Sequence, residues 1–121
     1  MIKKHLMASG LPAQAALNIG GQVASGLTAT GTTQTDALIS AADTAWFTTV
    51  AAGTGYRLRA DAEPGDEIKV YNGGANALLV YPATGGTINA LSANAGFSLA
   101  AGKLAVFTNG TGLGWASNLS A

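Results

Sequence analysis

Residues 64–71 read Pro-Gly-Asp-Glu-Ile-Lys-Val-Tyr, and the strand pattern in this stretch recurs along most of the chain. Pro64-Gly65 predicts a β-turn, because proline suits the first central position of such a turn and glycine the second. After the turn, Glu67–Tyr71 alternates charged and apolar side chains, the pattern of a strand with one buried face. Ile68 and Val70 are therefore predicted to face the interior, with the charged side chains in solvent.

The same period of two recurs on both sides of this stretch. Further short strands are predicted at Thr44–Val50, Tyr56–Arg59, Ala77–Tyr81, Thr87–Leu91, Phe97–Ala100, Lys103–Thr108 and Leu113–Asn118. Links rich in Gly, Asn and Ala separate them, at a spacing of about ten residues. We therefore expect an all-β domain, either an antiparallel β-sandwich or a jelly-roll-like barrel, with about 8–9 short strands. One echo, between Val50–Gly53 and Leu99–Gly102, falls short of a solenoid repeat.

The first 33 residues differ from the remainder of the chain. They are rich in Ala, Gly and Thr, and no charged residue lies between Lys4 and Asp36. We therefore divide the chain into an extended N-terminal arm, residues 1–33, and a β domain, residues 34–121. The arm is either a partly disordered leader or a segment that crosses neighbouring subunits. In the second case its apolar residues are candidate contacts with a partner: Leu11, Leu17 and Ile19.

The composition excludes several classes of function. The 121 residues include six Lys and Arg, six Asp and Glu, and no Cys, so the net charge is zero and no disulfide can form. A neutral chain lacks the basic surface that binds nucleic acid, and no stretch reaches the ~18 apolar residues of a membrane helix. The first residues also fall short of a secretory signal. Only 10% of the residues are charged, which favours a surface covered by partners, including copies of the same chain.

The sequence contains no recognisable catalytic constellation. The single histidine, His5, lies in the arm and has no second histidine with which to share a metal or a proton. Four carboxylates crowd the turn at Pro64-Gly65: Asp61, Glu63, Asp66 and Glu67. A solvated turn, partly neutralised by nearby Arg and Lys, is favoured over a catalytic carboxylate pair. We expect no enzymatic activity, no metal and no cofactor.

Aromatic side chains are the remaining candidates for a binding site. Trp46, Tyr56 and Trp115 are predicted to face inward, as core residues or as anchors between subunits. Tyr71 is predicted to lie outward, where its ring could contribute to a sugar-binding platform. The partner-interface candidates outside the arm are therefore Trp46, Tyr71 and Trp115.

The stretch from Thr48 to Trp115 resembles a family of small virion-associated proteins encoded among the structural genes of tailed bacteriophages. The matching pieces are Thr48–Gly55, Pro64–Asn72, Gly74–Pro82, Ile88–Leu91 and Trp115. Members of this family look like head decoration or cement proteins, and related segments occur near tail-fibre genes. The shared motifs are turns and strand cores, so the resemblance carries over no catalytic residue.

The resemblance implies a structural protein on the capsid surface of the virion, assembled in the cytoplasm of the host bacterium. Its partners would be the major capsid protein and copies of itself, with a trimer as the expected oligomer. The alternative is a receptor- or glycan-binding module of a tail fibre or capsid surface, with Tyr71 in its site.

Overall fold

The computed structural model describes residues 23–40 and 42–120, which form ten short strands. The strands are β1 (Val23–Thr28), β2 (Leu38–Ile39), β3 (Thr44–Thr49), β4 (Gly55–Arg57), β5 (Glu67–Asn72), β6 (Leu78–Tyr81), β7 (Thr87–Ile88), β8 (Phe97–Leu99), β9 (Leu104–Asn109) and β10 (Gly114–Leu119). The described residues contain no helix, and hence none long and apolar enough to cross a membrane. The all-β prediction is confirmed.

Up to β8 the chain alternates between two sheets. The six-stranded sheet has the order β1-β3-β5-β9-β10-β7, and the four-stranded sheet has the order β2-β4-β6-β8. Within them β1, β3 and β5 are parallel neighbours, and so are β2, β4 and β6. Each successive pair of strands therefore makes one coil, and three coils stack on one another in a β-solenoid-like arrangement.

The more specific prediction, an antiparallel β-sandwich or jelly-roll-like barrel, is wrong. Among the described strands, antiparallel pairing joins only β5 to β9, β9 to β10 and β6 to β8. Alternation of apolar and polar residues reports one buried face, but it does not report the direction of the neighbouring strand. The coils also leave no sequence repeat, because partner positions such as Leu38, Tyr56 and Val80 are unevenly spaced along the chain.

The hydrophobic core lies between the two sheets. Its largest fully buried apolar side chains are Tyr56, Phe47, Phe107, Leu58, Ile68, Leu78, Ile88 and Leu99. The rings of Phe47 from β3 and Tyr56 from β4 meet edge to face, with centroids 5.3 Å apart. Burial of each such side chain stabilises the fold by roughly 1.5–3 kcal/mol. Ile68 and Val70 face this core, as predicted.

The segment predicted as an arm overlaps the folded unit. β1 lies before residue 33, yet it pairs with β3 as the first strand of the six-stranded sheet. Its sequence signal is weak because four of its six side chains are exposed, and only Ala24 and Leu27 are partly covered. The candidate contacts Leu11, Leu17 and Ile19 lie outside the described residues.

Candidate functional site

Trp46 and Tyr71 lie side by side on the outer face of the six-stranded sheet. Their strands, β3 and β5, are parallel neighbours, and the register places the two residues opposite each other. The rings stack with centroids 4.2 Å apart and planes inclined by 29°. Trp46 is 42% exposed and Tyr71 is half-buried. The outward position predicted for Tyr71 is found, but the inward position predicted for Trp46 is wrong, because Phe47 occupies the core on this strand.

The Tyr71 ring is held by close packing against the backbone. A Cβ atom added at Gly73 would lie 2.7 Å from the carbonyl oxygen of Phe47 and 2.9 Å from Cε2 of Tyr71, closer than real Cβ contacts. Only glycine therefore leaves room for the ring in this position. On the next strand Leu104 is paired with Tyr71 and is half-buried. Trp46 and Tyr71, together with the aliphatic side chain of Leu104, form what we call the aromatic row, which crosses three strands.

A β-bulge lies on the other side of Trp46. The pairing of β1 with β3 shifts at this point, so that Ser25 and Gly26 together face the single residue Trp46. Gly26 has a φ of 68°, in the left-handed region that favours glycine. No described atom beyond its chain neighbours lies within 4 Å of the position that a Cβ of Gly26 would occupy. The bulge therefore leaves open space on the side of Trp46 away from Tyr71.

A groove of about 300 Å³ forms a second candidate site, which we call the Ile39–Leu113 groove. Its lining residues are Ile39, Arg57, Leu58, Ala60, Ala83, Thr84 and Leu113. Ile39 is 53% exposed and Leu113 is 41% exposed. The charged residue of the lining is Arg57, whose Nη1 donates a hydrogen bond to the carbonyl oxygen of Gln34 at 3.4 Å. Sequence reasoning did not identify this groove, because its lining residues come from four separate segments.

A polar cleft of about 410 Å³ lies around Arg59, next to the predicted turn. Arg59 forms ion pairs with Asp61 at 3.0 Å and with Asp43 at 3.4 Å. The hydrogen bond from Arg59 lowers the pKa of the Asp61 carboxyl, and the charge of the guanidinium lowers it further. Asp61 therefore stays ionised at neutral pH, which suits an ion pair and does not suit a proton donor.

Asp66, a second carboxylate of this cleft, has a structural role in the turn at Pro64-Gly65. The amide N–H of Asp66 donates to the carbonyl oxygen of Glu63 at 3.0 Å, and Gly65 has a φ of 97°, so the predicted turn forms. The Asp66 carboxylate accepts a hydrogen bond from the Glu63 amide at 2.8 Å. Asp66 thus closes the turn. Within residues 23–40 and 42–120, no group of three or more His, Cys, Asp or Glu side chains could hold a metal ion.

Tyr56 and Trp115 lie in the core. The sequence had left open whether they are core residues or anchors between subunits. Tyr56 is fully buried and Trp115 is 4% exposed. The Tyr56 hydroxyl and the Trp115 Nε1 have no hydrogen-bond partner among the described residues. Burial raises the pKa of Tyr56 to about 12, against a smaller opposing effect of Arg59, and Asp43 adds to the rise. Trp115, a candidate interface residue, thus has almost no exposed surface with which to contact a partner.

Sequence reasoning missed the bulge at Ser25-Gly26 because it assigned this segment to the arm. A Ser-Gly pair between apolar residues is the one local signal that could have indicated it.

Comparisons of the chain with models of protein families, with curated proteins and with solved structures found no match.

Proposed function

We propose that this protein is a structural protein of a phage virion, a decoration or cement protein that binds and stabilises the assembled head as an oligomer. The observation that carries the proposal is the Ile39–Leu113 groove, where two large apolar side chains stand exposed beside one largely apolar depression. Scattered exposed apolar residues are ordinary, but their grouping at one groove is typical of a protein contact site. The motifs between Thr48 and Trp115 support the same assignment.

In this proposal the groove receives an apolar side chain of the major capsid protein. Arg57 beside it supplies a positive charge for a carboxylate of the same partner. Each such contact is weak, and an oligomer on the capsid surface gains avidity because several copies engage the shell together. Stacked coils suit this role, since their strands are joined by backbone hydrogen bonds across each sheet.

Quantitative mass spectrometry of purified virions tests where the protein resides. A copy number equal to that of the major capsid protein, or a simple fraction of it, supports decoration of the whole head. A handful of copies per particle would place the protein at the tail or at one vertex, against decoration. Absence from the particle would contradict any role in the virion.

Substitutions at the groove test the contact itself. We expect the double variant Ile39→Ser, Leu113→Ser to bind undecorated heads at least tenfold more weakly, because a buried apolar side chain contributes about 1.5–3 kcal/mol. The matched control is Leu91→Ser, since Leu91 is 40% exposed but does not line the groove. Equal head binding by the double variant and the control would contradict the assignment of the groove.

A receptor- or glycan-binding module is the second candidate, and the exposure of Trp46 beside Tyr71 favours it. Trp and Tyr offer large rigid contact areas with little loss of conformational entropy. The aromatic row and the groove share no residue, so separate variants can test the two candidates.

A further inference from the structure

Stacking on Tyr71 covers one face of the Trp46 ring, and among the described residues no ring stacks on the other face, which we call the free face. The separation of 4.2 Å is close to the ~4.8 Å between neighbouring strands, so the rings stand side by side above β3 and β5. β1 flanks β3 on the side opposite β5. The free face of the indole is therefore turned toward β1, and Trp46 as a whole is 42% exposed.

The bulge in β1 leaves room for a flat group against this free face. A ring stacked on Trp46 at about 4–5 Å would lie above β1, because neighbouring strands are ~4.8 Å apart. At that point β1 carries Gly26, and no described atom beyond its chain neighbours lies within 4 Å of its missing Cβ. Glycine within a strand often marks a close approach of a ligand to the backbone, and bulges are frequent next to binding sites.

Hydroxyl groups surround this space. Thr44 and Thr48 lie two residues to either side of Trp46 on β3, about 7 Å away along the strand, and the Thr48 hydroxyl donates to the carbonyl oxygen of Leu27 at 3.5 Å. Ser25 of the bulge is exposed, and so is Thr48. We call the region formed by Ser25, Gly26, Thr44, Trp46 and Thr48 the Trp46 slot. Its own residues carry no charge, and the nearest charged residue on β5 is Lys69, which the register places opposite Thr44.

We infer that the Trp46 slot binds a neutral saccharide. One face of a sugar ring presents C–H groups that pack against an indole, while the hydroxyls at its rim exchange hydrogen bonds with Ser and Thr. A phosphate or a nucleic acid would be held by Lys or Arg side chains, and none of the five slot residues is basic. The inference rests on the second candidate function, for which it names the site and the ligand class, and it is independent of the head-binding proposal.

Tryptophan fluorescence provides the first test, because the chain has two tryptophans that differ in exposure. Iodide should quench Trp46, at 42% exposure, and spare Trp115, at 4%. We expect neutral oligosaccharides of glucose, galactose or N-acetylglucosamine to protect Trp46 from iodide with a Kd of about 0.1–10 mM, as suits one stacked ring. Failure of every member of this panel to protect Trp46 would overturn the inference, as would tighter binding of sulfated forms of the same sugars.

A slot-filling variant locates the site. Gly26→Asn places a side chain in the slot, and Asn tolerates the left-handed backbone conformation better than most residues. We expect it to weaken saccharide binding at least tenfold in a calorimetric titration, and Trp46→Ala to abolish binding. The matched control is Gly53→Asn, at a φ of 79° and with equally open surroundings in the turn after β3, which should bind as the wild type does.

Unchanged binding by Gly26→Asn would show that the slot is not the site. Association of the wild-type chain with itself, abolished by Trp46→Ala, would show that a second copy occupies the slot instead. Neither result changes the expected copy number on virions or the effect of the Ile39 and Leu113 substitutions. A failure of this inference is therefore distinguishable from a failure of the head-binding proposal.

Discussion

At the level of single residues, Tyr56 combines a fully buried ring with a hydroxyl that has no hydrogen-bond partner among the described residues. Its pKa of about 12 in the folded chain lies above the value of about 10 in an unfolded chain. Because the folded-state pKa is the higher one, the contribution of neutral Tyr56 to the free energy of unfolding is fully present below pH 10. That contribution is lost as the pH rises toward 12. Linkage gives a loss of about 2 kcal/mol over that interval.

We predict that Tyr56→Phe removes this alkaline loss. The variant keeps the ring contact with Phe47 and removes an unpartnered polar group, so its stability at pH 8 should equal or exceed that of the wild type. Urea unfolding of both proteins at pH 8 and at pH 12 checks the prediction, since other titrating groups cancel in the comparison. Parallel losses of stability in the two proteins would contradict it.

The neighbouring residues Trp46 and Phe47 show why the sequence could not place every candidate. Consecutive residues of a strand point to opposite faces, so one of these two aromatics has to lie outside. The alternation within Thr44–Val50 is compatible with either choice, because threonines occupy both faces. The contact of Phe47 with Tyr56, from the opposite sheet, decides the matter, and no local pattern contains that contact.

At the level of elements, the sequence predicts strand positions better than it predicts what links them. The eight strands from β3 to β10 lie where the alternation indicates, and the echo between Val50–Gly53 and Leu99–Gly102 is one turn used twice. Gly53 and Gly102 have φ values of 79° and 78°, in matching hydrogen-bonded turns. The buried Asn72 at the end of β5 was not anticipated, because an asparagine before two glycines has the appearance of a solvent-exposed turn.

Asn72 joins the two sheets. Its amide nitrogen donates to the carbonyl oxygens of Asn76 at 2.8 Å and of Leu99 at 2.9 Å, and its amide oxygen accepts from the Gly74 N–H at 3.0 Å. We predict that Asn72→Asp costs at least ~3 kcal/mol, since it removes both donors and buries a carboxylate beside two carbonyl oxygens.

Thermal unfolding of Asn72→Asp at pH 7 and pH 4 checks this prediction. The deficit relative to the wild type should shrink at pH 4, because burial raises the pKa of the new carboxyl and the protonated form can donate again. The control is Asn118→Asp, at an exposed position of β10, which should change stability by less than ~0.5 kcal/mol. A deficit no larger than that of the control would show that Asn72 contributes little.

At the level of the whole molecule, the parallel stacking of coils lay beyond the sequence. Strand direction follows from which distant segments pair, and the coils differ in length, so no repeat indicated them. The first coil matters most for the boundary of the fold. β1 forms an edge of the six-stranded sheet, and Ala29, just after it, is buried and donates its N–H to the Thr49 carbonyl oxygen at 3.0 Å.

Two truncations separate the fold from the segment before it. Removal of residues 1–22 keeps the ten strands found between residues 23 and 120, so we predict a midpoint of thermal unfolding within about 3 °C of that of the full chain. Removal of residues 1–33 deletes β1, uncovers an edge of β3 and takes away the buried Ala29, so we predict a loss of at least ~3 kcal/mol in the free energy of unfolding.

If Leu11, Leu17 and Ile19 contact neighbouring subunits, the shorter truncation and a full-length triple serine variant should both bind heads more weakly while remaining folded. Equal stability of the two truncations would contradict the place of β1 in the fold, and full head binding by the shorter one would remove the first 22 residues from the proposed interface.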